Sequence, residues 1–243
     1  NVAAYGIDGI TFPDDHSPFA GLLEALARID GIKRIRFTSP HPAFFNTRLI
    51  DAIANTPKVC NSIHLPLQSG SDRILKAMNR PYTAEQYMRI VNRLKEKCGE
   101  IAFSTDIIVG FPGETDGDFE ETRKLMNEVG YDNAYIFKYS PRKGTKAAEQ
   151  MPDDVPQSVK EERNQILLAD LAKSSERAND KFVGRTLEVL AEGVSKRNAS
   201  RWSGRTELSK LVVFEPDAAI RPGDLVQVRI NHATAMTLFG TLL

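Results

Sequence analysis

IAFSTDIIVGFPGET, residues 101–115, decides the fold. Its first nine residues are rich in β-branched side chains and close on Gly110, which marks a strand ending in a glycine turn. A helix over 115–130 follows, with Phe119, Leu125, Met126 and Val129 on its apolar side. Glu114, Asp116 and Asp118 sit near its N-terminus, where the helix dipole favours negative charge. The segment NAYIFKY (133–139) is a second strand, ending in the turn residues SPRKGT. Upstream the alternation continues, with strands at 61–67 and 33–38 and helices at 83–97, 46–55 and 18–29. Thr83 and Gln86 have capping-box spacing before the third of these helices in chain order. Strands separated by helices at this interval imply βαβ crossovers and a parallel sheet, open or rolled into a barrel. In either form the working surface lies beyond the carboxyl ends of the strands.

The whole chain has 243 residues, with 32 Lys and Arg balanced by 32 Asp and Glu. Its 41% hydrophobic content is that of a globular protein, and disorder, collagen and coiled coil are disfavoured. No apolar run approaches the roughly 18 residues of a spanning helix, so no membrane partner is expected. A cytoplasmic location is the default. Cys60 and Cys98 lie 38 residues apart, and no metal-ligand set is read from them.

After MPDDVP (151–156) a long polar helix runs to about residue 180, and the pattern then changes. Four short β-rich segments follow, TLEVLAEGV, KLVVFEP, DLVQVRIN and MTLFGTLL, separated by turn signals. They suggest a small antiparallel barrel. Residues 181–243 hold nine Lys and Arg against six Asp and Glu, a net of +3, so residues 1–180 carry −3. The balanced total covers two expected domains of opposite sign, 1–180 and 181–243.

Three loops at strand ends are candidates for chemistry. HLPLQSGSD (64–72) places Gln68 and Ser69 directly after a strand, although the same residues suit a capped turn before the next helix. In DIIVGFPGET (106–115), Gly110 permits close approach of a ligand to the backbone, or serves only the turn. Asp106 falls on the strand face shared by Ser104 and Ile108, and a carboxylate in a sheet needs a partner or solvent. YSPRKGT (139–145) adds Arg142 and Lys143 at a third strand end. In the second domain Lys196, Arg197, Arg201, Arg205 and Lys210 cluster around Trp202, the one tryptophan. Aromatic stacking with phosphate neutralisation is how small barrels hold single-stranded RNA, while the alternative is a basic hairpin whose Trp covers a barrel end.

RIRFTSPHP (34–42), HLPLQSGSD (64–72), MNRPYT (78–83), DIIVGFPGET (106–115) and YIFKYSPRKGT (135–145) resemble, in order and spacing, the radical S-adenosylmethionine methylthiotransferases. The likeness covers the whole chain, and its last part resembles the TRAM RNA-binding domain. Within the family the RFTSPHP segment is most similar to the branch acting on isopentenyladenosine beside the tRNA anticodon. Branches acting on threonylcarbamoyladenosine or a ribosomal protein, and a stand-alone RNA-binding module, are the alternatives. The resemblance implies an α/β fold: a partial radical SAM (β/α)6 barrel with parallel strands, followed by a small all-β TRAM, OB-like barrel.

It further implies S-adenosyl-L-methionine as radical source and methyl donor, two 4Fe-4S clusters in the full-length protein, a tRNA anticodon stem-loop as substrate, and flavodoxin or ferredoxin as electron donor. In the family three cysteines of a CxxxCxxC loop ligate one cluster and three others the second; this chain has none of the six. NVAAYG (1–6) resembles a segment at the end of the second barrel strand, so the chain is expected to be a C-terminal fragment, inactive alone. By likeness, Gln68, Ser69, Asp106, Val109, Gly110, Phe137 and Tyr139 are the expected cofactor wall. Lys196, Arg197, Arg201, Trp202, Arg205 and Lys210 are the expected RNA contacts. No catalytic residue and no metal ligand are expected in this chain.

Overall fold

The computed structural model describes residues 1–7, 16–38, 40–215, 217 and 219–243; Ser39 of RFTSPHP and Pro216 of KLVVFEP lie outside them. The chain divides into two compact units, Asn1–Leu171 and Ala172–Leu243.

In the first unit α1 (Pro18–Ala27) and α2 (Thr47–Asn55) are followed by β1 (Ser62–His64), α3 (Asp72–Ala77) and α4 (Ala84–Cys98). Then come β2 (Ala102–Val109), α5 (Asp116–Val129), β3 (Asn133–Lys138), the short α6 (Lys146–Gln150) and α7 (Gln157–Asp180), within which the division between units falls. Helix starts are set by side chains that satisfy orphan backbone donors. Ser17 and Asn46 cap α1 and α2, while Thr83 with Gln86 and Thr115 with Asp118 close complete capping boxes on α4 and α5.

The three strands form a parallel sheet in the order β1–β2–β3, with Ile63 opposite Phe103 and Asp106 opposite Tyr135. The strand expected at 33–38 contracts to one parallel bridge between Ile35 and Val59, and the strand expected at 61–67 to three residues. The core lies between one face of this sheet and the inward stripes of the helices, with Leu49, Ile53, Tyr87, Val91, Leu94, Phe119 and Met126 buried. Tyr87 and Tyr131 are fully buried, and their hydroxyls lie 2.7 Å apart while that of Tyr87 donates to the Leu65 carbonyl at 2.8 Å. Burial pushes the Tyr87 hydroxyl well up from its ordinary pKa, so the pair stays neutral.

The second unit is a closed barrel of β4 (Thr186–Ser195), β5 (Asn198–Thr206), β6 (Leu211–Phe214), β8 (Leu238–Leu242) and β7 (Leu225–Ala233), in that spatial order. It differs from the sequence expectation twice. Residues 198–206 form a fifth strand, and β6 pairs with β8 in parallel rather than antiparallel fashion. Val189, Ala191, Val212, Phe214, Val228, Ile230 and Leu238 fill the interior. Gly204 and Gly240 point inward where a Cβ would collide with the Leu190 and Arg229 carbonyls, so the strands approach closely only with glycine there.

Candidate functional site

Alternation along β2 sends Phe103, Thr105, Ile107 and Val109 into the core and leaves Ser104, Asp106 and Ile108 half-exposed on the other face. Register brings neighbours to this open face, with His64 beside Ser104, Tyr135 beside Asp106 and Phe137 beside Ile108. The His64 imidazole bridges two groups of β2: Nδ1 lies 3.0 Å from Ser104 Oγ and Nε2 3.4 Å from Asp106 Oδ2. Its ring meets that of Tyr135 edge-on at 6.1 Å. Tyr135 and Phe137 are 54% and 52% exposed, a large apolar area for one side of a three-stranded sheet. The face therefore offers an acid, an imidazole, a hydroxyl and two aromatic rings to whatever covers it.

The loop after β1 continues the sheet by one further bridge. The Gln68 amide donates to the Asp106 carbonyl at 2.8 Å, and the Gln68 carbonyl accepts from the Ile108 amide at 2.9 Å. Gln68 holds a left-handed backbone, φ +72°, a conformation that costs a non-glycine residue energy. The next residues turn away from the open face. Ser69 is fully buried beside the Thr122 hydroxyl, and the Gly70 amide donates to that hydroxyl at 2.9 Å. A Cβ on Gly70 would come within 2.6 Å of Thr122 Cα. Ser71 Oγ donates to Asp118 at 2.6 Å and Arg73 pairs with the same carboxylate. Burial alone would push the Asp118 pKa up, but hydrogen bonds from Arg73, Ser71 and Thr115 outweigh it and hold it well below the usual carboxylate range.

The glycine loop after β2 is likewise knitted to the scaffold. The Gly110 amide donates to Glu114 Oε1 at 2.8 Å, and the same oxygen receives Arg163 of α7 at 2.8 Å. Both side chains are almost fully buried, and Arg163 also reaches Asp116 at 2.7 Å. Burial pushes the Glu114 carboxyl up, against the downward pull of the Gly110 amide and Arg163. Lys160 crowds Gly110, whose φ is +69°, so that a Cβ there would overlap the lysine stem. Tyr139, just past β3, stacks edge-on to Phe111 at 5.1 Å with Lys160 Nζ 5.3 Å from its ring centre. Its buried hydroxyl has no hydrogen-bond partner among the described residues.

Thus the sequence-expected cofactor residues separate. Asp106 and Phe137 lie on the open face, Gln68 is buried where its backbone bridges to Ile107, and Tyr139 lies just past β3. Ser69, Val109 and Gly110 pack into scaffold. Arg142 and Lys143 are exposed in the turn before α6. His64 and Tyr135 were not singled out from sequence, although period-two alternation about Asp106 and two adjacent strands would have found them.

In the barrel, Lys196 and Arg197 form the exposed two-residue turn between β4 and β5. Arg201 pairs with Glu215 at 3.2 Å, and Arg205 with Glu192 at 3.4 Å. Lys210 is buried, its ammonium 5.9 Å from the Phe182 ring centre, and Trp202 packs against the barrel core. Cys60 is buried and Cys98 half-buried, with burial raising the Cys98 thiol pKa. Among the described residues no three His, Cys, Asp or Glu side chains gather as a metal site, and no helix is long and apolar enough to cross a membrane.

Residues 7–126 match the Radical SAM superfamily and residues 180–243 the TRAM domain. The chain is 51% identical, over its full length, to the tRNA-2-methylthio-N(6)-dimethylallyladenosine synthase of Opitutus terrae, of which it covers 50%. It is 48% identical to the protein of the same name from Acetivibrio thermocellus, covering 100% of this chain and 49% of that one. The chain spans about half the length of the curated relatives it matches. Among solved structures, Escherichia coli coproporphyrinogen III oxidase (HemN), a radical SAM enzyme, aligns with 69% of this chain and 45% of its own at a TM-score of 0.48 and 18% identity.

Proposed function

Because the chain belongs to the radical S-adenosylmethionine methylthiotransferase family, we propose that it serves a tRNA-modifying enzyme as one wall of the cofactor pocket plus an RNA-holding barrel. The reaction assigned is transfer of a methylthio group to C2 of N6-isopentenyladenosine next to the anticodon. One observation carries this reading: the similarity to the synthases runs unbroken through both matched regions at about half identity.

The residues present suit S-adenosylmethionine in part. The open face supplies Asp106 and His64 for polar groups and Tyr135 and Phe137 for an adenine, while the buried unpartnered Tyr139 hydroxyl is a donor awaiting an acceptor. The left-handed Gln68 sets where β1 and β2 part, so its backbone fixes the rim. Adenosylmethionine, when bound, supplies the radical and the methyl group. The chain's own residues bind and orient it, and their aromatic rings keep water from the face. Cys60 is buried and Cys98 half-buried, and among the described residues no three His, Cys, Asp or Glu side chains gather. Both 4Fe-4S clusters, and contact with a flavodoxin or ferredoxin electron donor, are assigned to the half of the related synthases that this chain does not span.

Deleting the gene and analysing tRNA nucleosides by mass spectrometry tests the reaction. The expected result is loss of the 2-methylthio group with isopentenyladenosine accumulating in its place. Loss of the methylthio group from threonylcarbamoyladenosine instead, or unchanged tRNA, overturns it.

A further inference from the structure

Trp202 is the aromatic that the sequence singles out for stacking on RNA, and its half-buried side chain packs against the barrel core. A different aromatic pair is presented to solvent. On β8 the alternation buries Leu238 and Gly240 and turns Phe239 and Thr241 outward. On β7 the side chains of Val228 and Ile230 point inward and that of Arg229 outward. Strict alternation would then bury His232. A bulge between Ile230 and His232 adds Asn231 and keeps His232 on the outside, directly opposite Phe239. The two rings stack at 5.7 Å between centroids with planes 22° apart. Phe239 is 37% exposed.

Register extends this pair into a surface. Val213 of β6, half-exposed, lies beside Phe239, and Ser203 of β5 lies beside Val213. Arg229 lies opposite Thr241 on the same outer face, and Arg201 and Arg205 flank Ser203 two positions away on either side. The two β5 arginines are held by Glu215 and Glu192, so they are placed rather than free. Residues 181–243 carry a net +3. A flat aromatic centre on the outside of a small closed barrel, with arginines on two sides, combines the two terms that hold an unpaired nucleotide: base stacking and phosphate neutralisation.

We propose that the outer face of β7 and β8, centred on the His232–Phe239 stack and Arg229, is the platform on which the barrel receives an unpaired base of its RNA. This rests on the RNA-holding role proposed above and names the surface that performs it. A protein partner would use the same apolar centre, but the positive balance of the barrel and the ring geometry favour nucleic acid.

The test uses the full-length protein and a fluorescent single-stranded oligoadenylate in anisotropy titrations, with ultraviolet cross-linking of the unmodified protein as a variant-free readout. Phe239→Ala is expected to weaken binding about tenfold, with Phe239→Trp at least restoring it. Arg229→Gln is expected to weaken it less and to lower the salt slope by about one counterion. Cross-links mapping to the β8 peptide would agree. Unchanged affinity in Phe239→Ala and His232→Ala, with cross-links confined to 195–205, overturns the platform and leaves RNA binding intact. No measurable RNA binding by the unmodified protein overturns the underlying role as well. Should Phe239→Ala melt below the assay temperature, His232→Ala and the cross-link map decide alone.

Discussion

Phe103, Thr105, Ile107 and Val109 of β2 lie in the core, while Ser104, Asp106 and Ile108, each one residue away, lie on the half-exposed face beside His64 and Tyr135. The two sides of one strand thus carry different duties. The core side fixes the fold, and its continuation into the loops is fixed too: Ser69 and Gly70 lock onto Thr122, and Gly110 onto Glu114 and Lys160. The open side is chemically varied and lightly bonded. The comparison teaches that a recognisable strand-end motif mixes buried scaffold residues with half-exposed ones, and that a single residue step separates them.

Substitutions on the scaffold side should therefore act on stability, and those on the open side on binding. The largest effect is expected at Arg163. Arg163→Ala leaves the Glu114 carboxylate buried without its cation and should cost about 3–5 kcal/mol in urea unfolding. A loss below about 1 kcal/mol would mean the pair does not hold the glycine loop. Gly70→Ala comes next, since the new methyl meets the backbone of α5 rather than a movable side chain. It should cost about 1–3 kcal/mol by the same measurement.

A smaller effect depends on pH. The folded pKa of Asp118 is depressed, so its contribution is complete above the unfolded value of about 4 and is lost as pH falls through the folded one. Melting temperature should fall on acidification below about pH 4, and Asp118→Asn should flatten that limb while lowering stability at pH 7. An identical acid limb in the variant would break the assignment. The smallest stability change is expected on the open face, where Asp106→Asn should shift unfolding by no more than about 0.5 kcal/mol.

Much of the fold was legible because it is written in local periods. The helices α1, α2, α4 and α5 and the strands β2 and β3 follow from apolar stripes, capping boxes and β-branched runs. The 33–38 segment has a strand's residues yet pairs only at Ile35, because a strand is completed by its neighbours and not by its propensity. β5 escaped detection because NASRWSGRT places Gly204 inside and polar residues outside, leaving no apolar alternation to read. The parallel β6–β8 pairing is a property of barrel closure that no local pattern contains.

In the site, the face of Asp106 was readable from period two alone, and His64 and Tyr135 lay within reach of the same rule. The scaffold role of Gly110 was not, because it depends on Arg163 and Lys160 about 50 residues later. Lys210 read as a surface cation, and its burial over Phe182 is likewise tertiary.

The claim that the half-exposed side of β2 is the ligand-bearing side is tested most directly by S-adenosylmethionine affinity in the full-length protein, measured calorimetrically for Asp106→Asn and Val109→Ala. The account predicts about tenfold weaker binding for Asp106→Asn at unchanged melting temperature, as expected for loss of a charged hydrogen bond. For Val109→Ala it predicts lowered stability with affinity retained. Unchanged affinity in Asp106→Asn, together with lost affinity in a folded Val109→Ala protein, would contradict it.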